Sequence, residues 1–193
     1  MKFTIFSLLI AAIGFVACGE DQHIAQSRKD FTDPYQLIIW DDIDSLSAQH
    51  SRAMKNVFID SSNSESKYTD SIDWVKEYEG LLSVNFTKEL SKAAYETLEQ
   101  ESKDSASGIY YLEKMAKDTN AYLQNLIVTK RQHKLQLLSW RTKERSFLMD
   151  RDVQVGFTPG KGYIVRITEN SLWSKPKNIQ IQFSVENKST LGL

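Results

Sequence analysis

Residues 109–148 read IYYLEKMAKDTNAYLQNLIVTKRQHKLQLLSWRTKERSFL, and this stretch contains neither proline nor glycine. One line of residues recurs every seven positions, with Ala116, Leu123 and Leu137 beside it: Leu112, Thr119, Leu126, His133, Trp140 and Phe147. A seven-residue repeat over several steps is typical of coiled-coil-like helix packing. The spacing therefore predicts a long helix, about 60 Å in length at about 1.5 Å per residue, with a bend or an end near Lys130 or Glu144.

Two earlier segments also have helical spacing. Over 36–60, apolar residues recur in steps of three and four, and a polar connector follows over 61–68. A second helix is predicted over about 69–103, with a break over 104–108.

The charges favour an antiparallel hairpin of the second and third helices. Ten acidic and five basic residues lie between positions 65 and 104, whereas six basic and one acidic residue lie between positions 130 and 145. Because opposite charges favour this pairing, we expect Glu77 and Glu79 to lie near Arg131 and Lys134.

After Asp152 the apolar residues alternate with polar ones. The alternation runs over 153–157, 163–167 and 179–185, with a turn over 159–162 and a polar loop over 169–178. A period of two with turn residues between the runs predicts antiparallel strands. The sequence thus predicts an α+β fold: two or three long antiparallel helices followed by a small antiparallel β-sheet of about three strands.

The predicted organisation has four parts. Residues 1–17 form a signal peptide, and residues 18–34 form an acylated cysteine with a flexible tether. A helical domain follows over 35–149, and a β meander over 150–193 packs on the helices. The length of 193 residues suits a single main domain.

Composition narrows the function classes. Hydrophobic residues make up 41% of the chain, which is enough for a real core. The net charge of −1 lacks the basic excess of a general nucleic-acid binder. Cys18 is the single cysteine, so no disulfide can form within the chain.

The N-terminus accounts for that cysteine. Lys2 is followed by an apolar run over 3–16 and then by Ala17-Cys18, a pattern typical of a secretory signal that is too short to span a membrane. The stretch Phe15-Val16-Ala17-Cys18 resembles the lipobox of bacterial lipoprotein precursors, although Phe15 stands where that class prefers Leu. The alternative is an ordinary signal peptide with a chance cysteine.

The lipobox resemblance implies an anchor and an address. It implies cleavage between Ala17 and Cys18, a diacylglyceryl group on the thiol and an acylated amine. Gly19 favours the outer membrane, by resemblance to lipoprotein sorting. Glu20-Asp21 resembles the acidic export signal of Bacteroidota, which leaves the periplasmic face and the cell surface both open. Two or three acyl chains hold a protein stably in a bilayer.

No motif predicts catalysis, a cofactor or a metal. The chain lacks Gly-x-Ser-x-Gly and His-Glu-x-x-His, and its three histidines do not have metal-ligand spacing. Asp41, Asp42 and Asp44 are interpreted as a solvated helix face. Three Asp-Ser-aliphatic triplets, at 44–46, 70–72 and 104–106, match an O-glycosylation pattern of Bacteroidota.

Trp173 is the candidate for a partner contact. Trp40, Trp74 and Trp140 lie on predicted helices, where packing in the core accounts for them. Trp173 instead lies in the polar loop between two predicted strands, and an exposed loop tryptophan suits a binding site.

The function predicted from these features is non-enzymatic. We expect a lipid-anchored binding or assembly subunit of a bacterial envelope complex, with an accessory subunit of a secretion apparatus as one form of it. A second hypothesis is an inhibitor or immunity lipoprotein that neutralises an enzyme or toxin in the periplasm. A third is an enzyme that acts on cell wall or glycan. The expected partners are the membrane, through the anchor, and envelope proteins.

Overall fold

A computed structural model describes residues 27–49, 51–60, 63–102 and 108–186 of the chain. These residues form a nine-stranded antiparallel sheet with three α-helices against one of its faces. A short 3₁₀ helix, Arg28–Asp30, precedes the first α-helix. We call the covered side of the sheet the helix face and the other side the open face.

The elements follow one another in a simple order. The helices are α1 (Pro34–Gln49), α2 (Trp74–Leu82) and α3 (Phe86–Lys92). The strands are β1 (Arg52–Ile59), β2 (Asn63–Thr69), β3 (Tyr95–Glu101), β4 (Ile109–Ala116), β5 (Leu123–Arg131), β6 (Lys134–Arg145), β7 (Met149–Thr158), β8 (Gly162–Ser171) and β9 (Ser174–Glu186).

The sheet is a meander of seven consecutive strands, β3 to β9, and the β1–β2 hairpin is added at its β9 edge. Its strand order is β2-β1-β9-β8-β7-β6-β5-β4-β3, so β3 to β9 pair consecutively. Strand β9 then pairs with β1, with Ala53 opposite Val185 and Val57 opposite Ile181. The α2 and α3 helices lie in the connection between β2 and β3, which returns the chain to the far edge of the sheet.

The core lies between the helices and the middle of the sheet. Tyr78 of α2 packs edge-to-face against Phe157, Tyr163 and Phe183, which come from three adjacent strands. Phe86 of α3 packs in the same way against Trp140 of β6. Because these aromatic side chains are almost fully buried, they supply much of the apolar area that holds the helices on the sheet.

Three buried or half-buried carboxylates hold the helices in place: one joins two helices, and two join a helix to the sheet. Asp33 accepts backbone N–H groups of Tyr35 and Gln36 at the start of α1, and Thr87 at the start of α3. Asp42 accepts the N–H of Gly160 at 2.7 Å. The third carboxylate, Glu77, accepts from Tyr163 Oη at 2.5 Å and from Lys55 Nζ at 2.6 Å.

The prediction of long helices over 69–103 and 109–148 is wrong. The first range contains the short helices α2 and α3 and the strand β3, and the second contains β4, β5 and β6. The residues on the seven-residue line alternate between strand and turn. Leu112, Leu126 and Trp140 lie within the three strands, and Thr119, His133 and Phe147 lie in the connections between strands. A strand and the turn after it together take about fourteen residues here, which equals two heptads. Successive hairpins therefore give the same spacing of apolar residues as a coiled coil.

The first predicted helix and the connector after it are correct only in part. Helix α1 ends at Gln49, and residues 52–59 and 63–69 pair as the hairpin of β1 and β2. The predicted helical hairpin is absent, since Glu77 pairs with Lys55 of β1 rather than with Arg131 or Lys134.

The three strands predicted after Asp152 are present as β7, β8 and β9. They are longer than predicted and belong to the nine-stranded sheet rather than to a separate three-stranded one. The predicted loop over 169–178 shrinks to the two-residue turn Leu172-Trp173. None of the helices in the described ranges has both the length and the apolar character that a membrane crossing requires.

Candidate binding surface

Two neighbouring hairpin turns carry large apolar residues at their tips. The β6–β7 turn contains Phe147-Leu148, followed by Met149, and the β8–β9 turn contains Leu172-Trp173. Turn centres usually hold Gly, Asn, Asp or Pro, because these residues favour the turn conformation and tolerate water. Apolar pairs at both tips therefore need an explanation other than turn formation.

Serine hydroxyls close the two turns locally. In the β6–β7 turn, the Ser146 N–H donates to the Met149 carbonyl at 2.9 Å, and the Met149 N–H donates to Ser146 Oγ at 3.0 Å. In the β8–β9 turn, the Trp173 N–H donates to Ser171 Oγ at 3.2 Å. The backbone of each turn thus has partners of its own, which frees the apolar side chains from a structural role.

A backbone hydrogen bond joins the two tips. The Leu172 N–H donates to the Leu148 carbonyl at 3.2 Å, across a pair of adjacent hairpins. The apolar residues of both turns therefore lie at the same end of the sheet, with Leu148 beside Leu172. We call this set the tip surface, and it consists of Phe147, Leu148, Met149, Leu172 and Trp173.

Phe147 and Trp173 are the most exposed of the large apolar side chains in the described ranges. Phe147 is 88% exposed and Trp173 is 82% exposed, whereas Trp40, Trp74 and Trp140 are each at most 6% exposed. Leu148 and Leu172 are also exposed. Trp173, the tryptophan predicted to contact a partner, thus lies at a surface tip, and the other three belong to the core.

Charged side chains of both signs flank the tip surface. Arg145 precedes Phe147 by two positions and donates to Asn120 in the β4–β5 connection. Lys175 and Lys177 follow Trp173 on β9. Asp150 lies opposite Arg145 and Glu169 lies opposite Lys177 in the sheet, so the charges beside the tip surface are of both signs.

The buried ionisable groups next to the helices serve the fold. Burial raises the pKa of the Asp42 carboxyl, and the hydrogen bonds from Gly160 and Tyr78 lower it by less. Burial and the nearby Glu77 raise the pKa of Tyr163. Each of these groups is hydrogen-bonded to the backbone or to another of them. They therefore serve as links between the helices and the sheet.

Two shallow depressions do not include the residues of the tip surface. One, of about 400 Å³, lies on the open face around the ion pair of Arg141 with Asp152. The other, of about 350 Å³, lies near Ser51, Asp70 and Asp73, and its carboxylates are engaged by Arg52 and by the start of α2. Among the residues that the structure describes, no group of three or more His, Cys, Asp or Glu could hold a metal ion.

The remaining predicted site residues lie elsewhere. Ala17 and Cys18, the predicted cleavage and lipidation site, are outside the described residues, as are His23 and His50. His133 lies in the exposed turn between β5 and β6, at the opposite end of the sheet from the tip surface.

Sequence reasoning missed Phe147 as a surface residue because it was placed on a helical line. The pattern that could have found it is local: Ser146-Phe147-Leu148 and Ser171-Leu172-Trp173 are each a serine followed by two large apolar residues. Comparisons of the chain with protein-family models, with curated proteins and with solved structures gave no match.

Proposed function

We propose that this chain is a lipid-anchored protein of a bacterial cell envelope that acts as a non-enzymatic binding subunit, with the tip surface as its contact site. The observation that carries the proposal is the exposure of Phe147, Leu148, Leu172 and Trp173 on two linked turns. The anchor is the one implied by the lipobox resemblance at Cys18.

Exposed apolar side chains of this size favour a partner. Removing a Phe or Leu side chain from water contributes about 1.5–3 kcal/mol. Soluble monomers rarely expose apolar patches larger than a few hundred Å², and the largest such patch on a monomer is often functional. Since the turns close through serine hydroxyls and backbone, the fold itself does not require apolar residues there.

The arrangement of polar groups supports binding rather than chemistry. Asp33 and Asp42 accept hydrogen bonds from backbone N–H groups, and Glu77 bridges Tyr163 and Lys55. Asp33 joins the starts of α1 and α3, and Asp42 and Glu77 connect helices to the sheet, so their positions follow from packing.

Thiol accessibility in native envelopes tests the proposal. We would compare Ser174→Cys, next to the tip surface, with Lys161→Cys, in the exposed turn at the opposite end of the sheet. Acylation blocks Cys18, so the introduced thiol is the only one free to react. We expect a membrane-impermeant maleimide to modify position 174 more slowly than position 161 in envelopes from cells.

A matched pair of triple variants supplies the control. Phe147→Ser with Leu172→Ser and Trp173→Ser should restore fast modification at position 174. Leu98→Ser with Ile109→Ser and Met115→Ser removes as many exposed apolar side chains from β3 and β4 and should leave the protection intact. Equal modification at positions 174 and 161 in the parent protein would contradict the proposal.

Crosslinking from position 174, followed by mass spectrometry, distinguishes an assembly role from the inhibitor hypothesis. A reproducible set of envelope proteins supports an assembly role. Recovery of one soluble enzyme or toxin instead supports the inhibitor hypothesis.

A further inference from the structure

We infer that the edge strand β2 pairs with β2 of a second copy of this chain, antiparallel and with Ser66 at the centre of the register. The sheet then continues through both copies. Strand β2 lies at one end of the strand order and contains no residue of the tip surface, so this pairing stands independently of the proposed function.

Strand β2 has a regular edge. Within the described ranges, β1 is the only strand that pairs with it, and the register from Ala53–Thr69 to Ile59–Asn63 has no shift. The strand contains no proline, and its side chains from Glu65 to Tyr68 are exposed. Proteins often block an edge strand with a proline or a bulge, because its free N–H and C=O groups can bind another strand. Strand β2 carries neither of these two features.

A hydrogen bond of the neighbouring strand shows which groups of β2 face the edge. The Asp60 N–H, directly after β1, donates to the Asn178 carbonyl of β9 at 2.9 Å. Since successive residues of a strand point their backbone groups to opposite sides, Ile59 and every second residue before it point to β2. Ile59 pairs with Asn63. The backbone groups that face the edge therefore belong to Ser64, Ser66 and Tyr68.

Charge selects one register for two copies of β2. A register centred on Ser66 pairs the whole strand, 63–69, and places Glu65 of each copy opposite Lys67 of the other. It also aligns edge-facing backbone groups with edge-facing ones, for about six hydrogen bonds. The neighbouring registers, centred on Glu65 or on Lys67, place two like charges directly opposite each other. Opposite charges across a strand pair stabilise it, and like charges destabilise it.

The surroundings of Lys67 favour a carboxylate from a second copy. Lys67 lies opposite Lys55 of β1, whose ammonium group binds Glu77 at 2.6 Å. The second copy adds Glu65 on the outer side of Lys67, whatever else that lysine contacts in its own chain. A lysine alone at an edge opposes pairing. With a glutamate two positions before it, the edge becomes complementary to itself.

The other edge of the sheet is unsuited to pairing with itself. Strand β3 carries Glu96, Glu99 and Glu101 and no basic residue, so two copies of β3 would repel each other. A contact between β2 and β3 would join the copies head to tail, which leaves free edges at both ends. Pairing of β2 with β2 closes as a two-fold dimer.

The open face gains apolar contact in the same register. Tyr68 is 57% exposed and Phe58 is 36% exposed, and Phe58 lies opposite Ser64. Tyr68 of the second copy also lies opposite Ser64, so the two aromatic residues stand on the same row with one strand between them. Their backbones are then about 10 Å apart, a distance that two large rings can bridge.

The dimer keeps both copies in the same orientation relative to a membrane. The two-fold axis is perpendicular to the sheet, so the helix faces of both copies lie on one side. Arg28 binds Asp41 of α1 at 2.7 Å, which places the start of the described chain on that side in each copy. Two proposed anchors can therefore enter one membrane.

Disulfide trapping in intact cells tests the register. A pair of edge strands is smaller than a standard protein interface, and a covalent trap captures such a weak complex. We would express the full chain in two tagged forms, Glu65→Cys and Lys67→Cys, and add copper phenanthroline. Positions 65 and 67 of opposite copies lie about 4.5 Å apart between Cα atoms, within reach of a disulfide. We expect a mixed disulfide that joins the two tags.

Each form expressed alone is the matched control. Like positions of the two copies lie about 7–8 Å apart, so each form alone should give at least about fivefold less crosslinked dimer. The parent chain, with Cys18 as its single cysteine, gives the background. A mixed yield no higher than the background or than the single forms would overturn the pairing. A crosslink to another protein in place of the second copy would overturn it as well.

Charge reversal tests the complementarity, with Ser66→Cys as the reporter because the two copies of position 66 lie about 5.5 Å apart. Adding Glu65→Lys or Lys67→Glu to the reporter should lower the yield of crosslinked dimer about tenfold, since each places like charges opposite each other. Co-expression of the two variants should restore it, because they complement each other. Glu96→Lys, on β3, should leave the yield unchanged. Equal yields from all variants, or no recovery on co-expression, would contradict the register.

Discussion

Asp42 illustrates how a single residue couples a helix to a turn of the sheet. Its carboxylate accepts the N–H of Gly160 in the β7–β8 turn and lies 3.3 Å from Tyr78 Oη, which donates to it from α2. Burial raises its pKa above the usual value of an aspartate. The folded state therefore binds the Asp42 proton more tightly than the unfolded state does.

The raised pKa of Asp42 predicts a pH-dependent contribution to stability. A group with a raised folded pKa stabilises the fold fully below its unfolded pKa, near 4, and this contribution is lost as pH rises through the folded pKa. We expect Asp42→Asn, which keeps an oxygen acceptor for Gly160 and does not ionise, to gain stability relative to the parent between pH 4 and pH 7. Denaturant unfolding at several pH values measures this gain.

Asp42→Ala is the control for the hydrogen bonds themselves. It should lower the free energy of unfolding by about 1–3 kcal/mol at neutral pH, since it leaves the Gly160 N–H unpaired. A difference between the parent and Asp42→Asn that shrinks as pH rises would contradict the assignment of the raised pKa.

At the level of elements, the β7–β8 hairpin depends on one glycine. Gly162 has a φ of +106°, and a Cβ there would lie 2.1 Å from the Phe183 carbonyl oxygen of β9. We expect Gly162→Ala to cost about 2 kcal/mol or more in free energy of unfolding, because both the backbone and the neighbouring strand would have to move.

Gly156, on the same hairpin, is the matched control for Gly162. A Cβ at Gly156 meets nothing within 4 Å, and alanine favours a strand over glycine by about 0.5–1 kcal/mol. Gly156→Ala should therefore be neutral or slightly stabilising. Thermal or denaturant unfolding of the two variants checks the contrast, and equal losses would argue against the close approach at Gly162.

For the whole molecule, the property to test is the proposed lipid anchor at Cys18. We expect Cys18→Ser to abolish palmitate incorporation and to leave the chain at the larger size of the uncut precursor, because both steps of lipoprotein maturation require the thiol. Metabolic labelling with palmitate and gel mobility measure this.

Ser7→Ala provides the comparison for Cys18→Ser, since it alters the apolar run but keeps the cysteine. It should mature and incorporate palmitate like the parent chain. Maturation of Cys18→Ser to the same size as the parent would contradict the lipobox assignment and leave the tip surface without its anchor.

The local sequence was enough to predict the C-terminal strands, because neighbouring residues specify them. The alternation over 153–185 predicted strands, because side chains in a strand point to opposite faces at every step. Trp173 was separable from the other tryptophans because it lies among polar residues between two such strands. Phe147, in the other turn of the tip surface, was not, since it fell on a seven-residue line that fits both a helix and a series of hairpins.

What the sequence determined by itself is the strand character of 153–157, 163–167 and 179–185 and the turn between the first two runs, whereas the lipoprotein-like start of the chain stays a prediction. Only the tertiary structure decided that residues 109–145 pair as strands and that β1 joins β9, with Ala53 opposite Val185. Only the tertiary structure brought Leu148 and Leu172 together into one surface. The physical reason is that these contacts are hydrogen bonds and packing between distant segments, whereas periodicity reports only which side chains share a face.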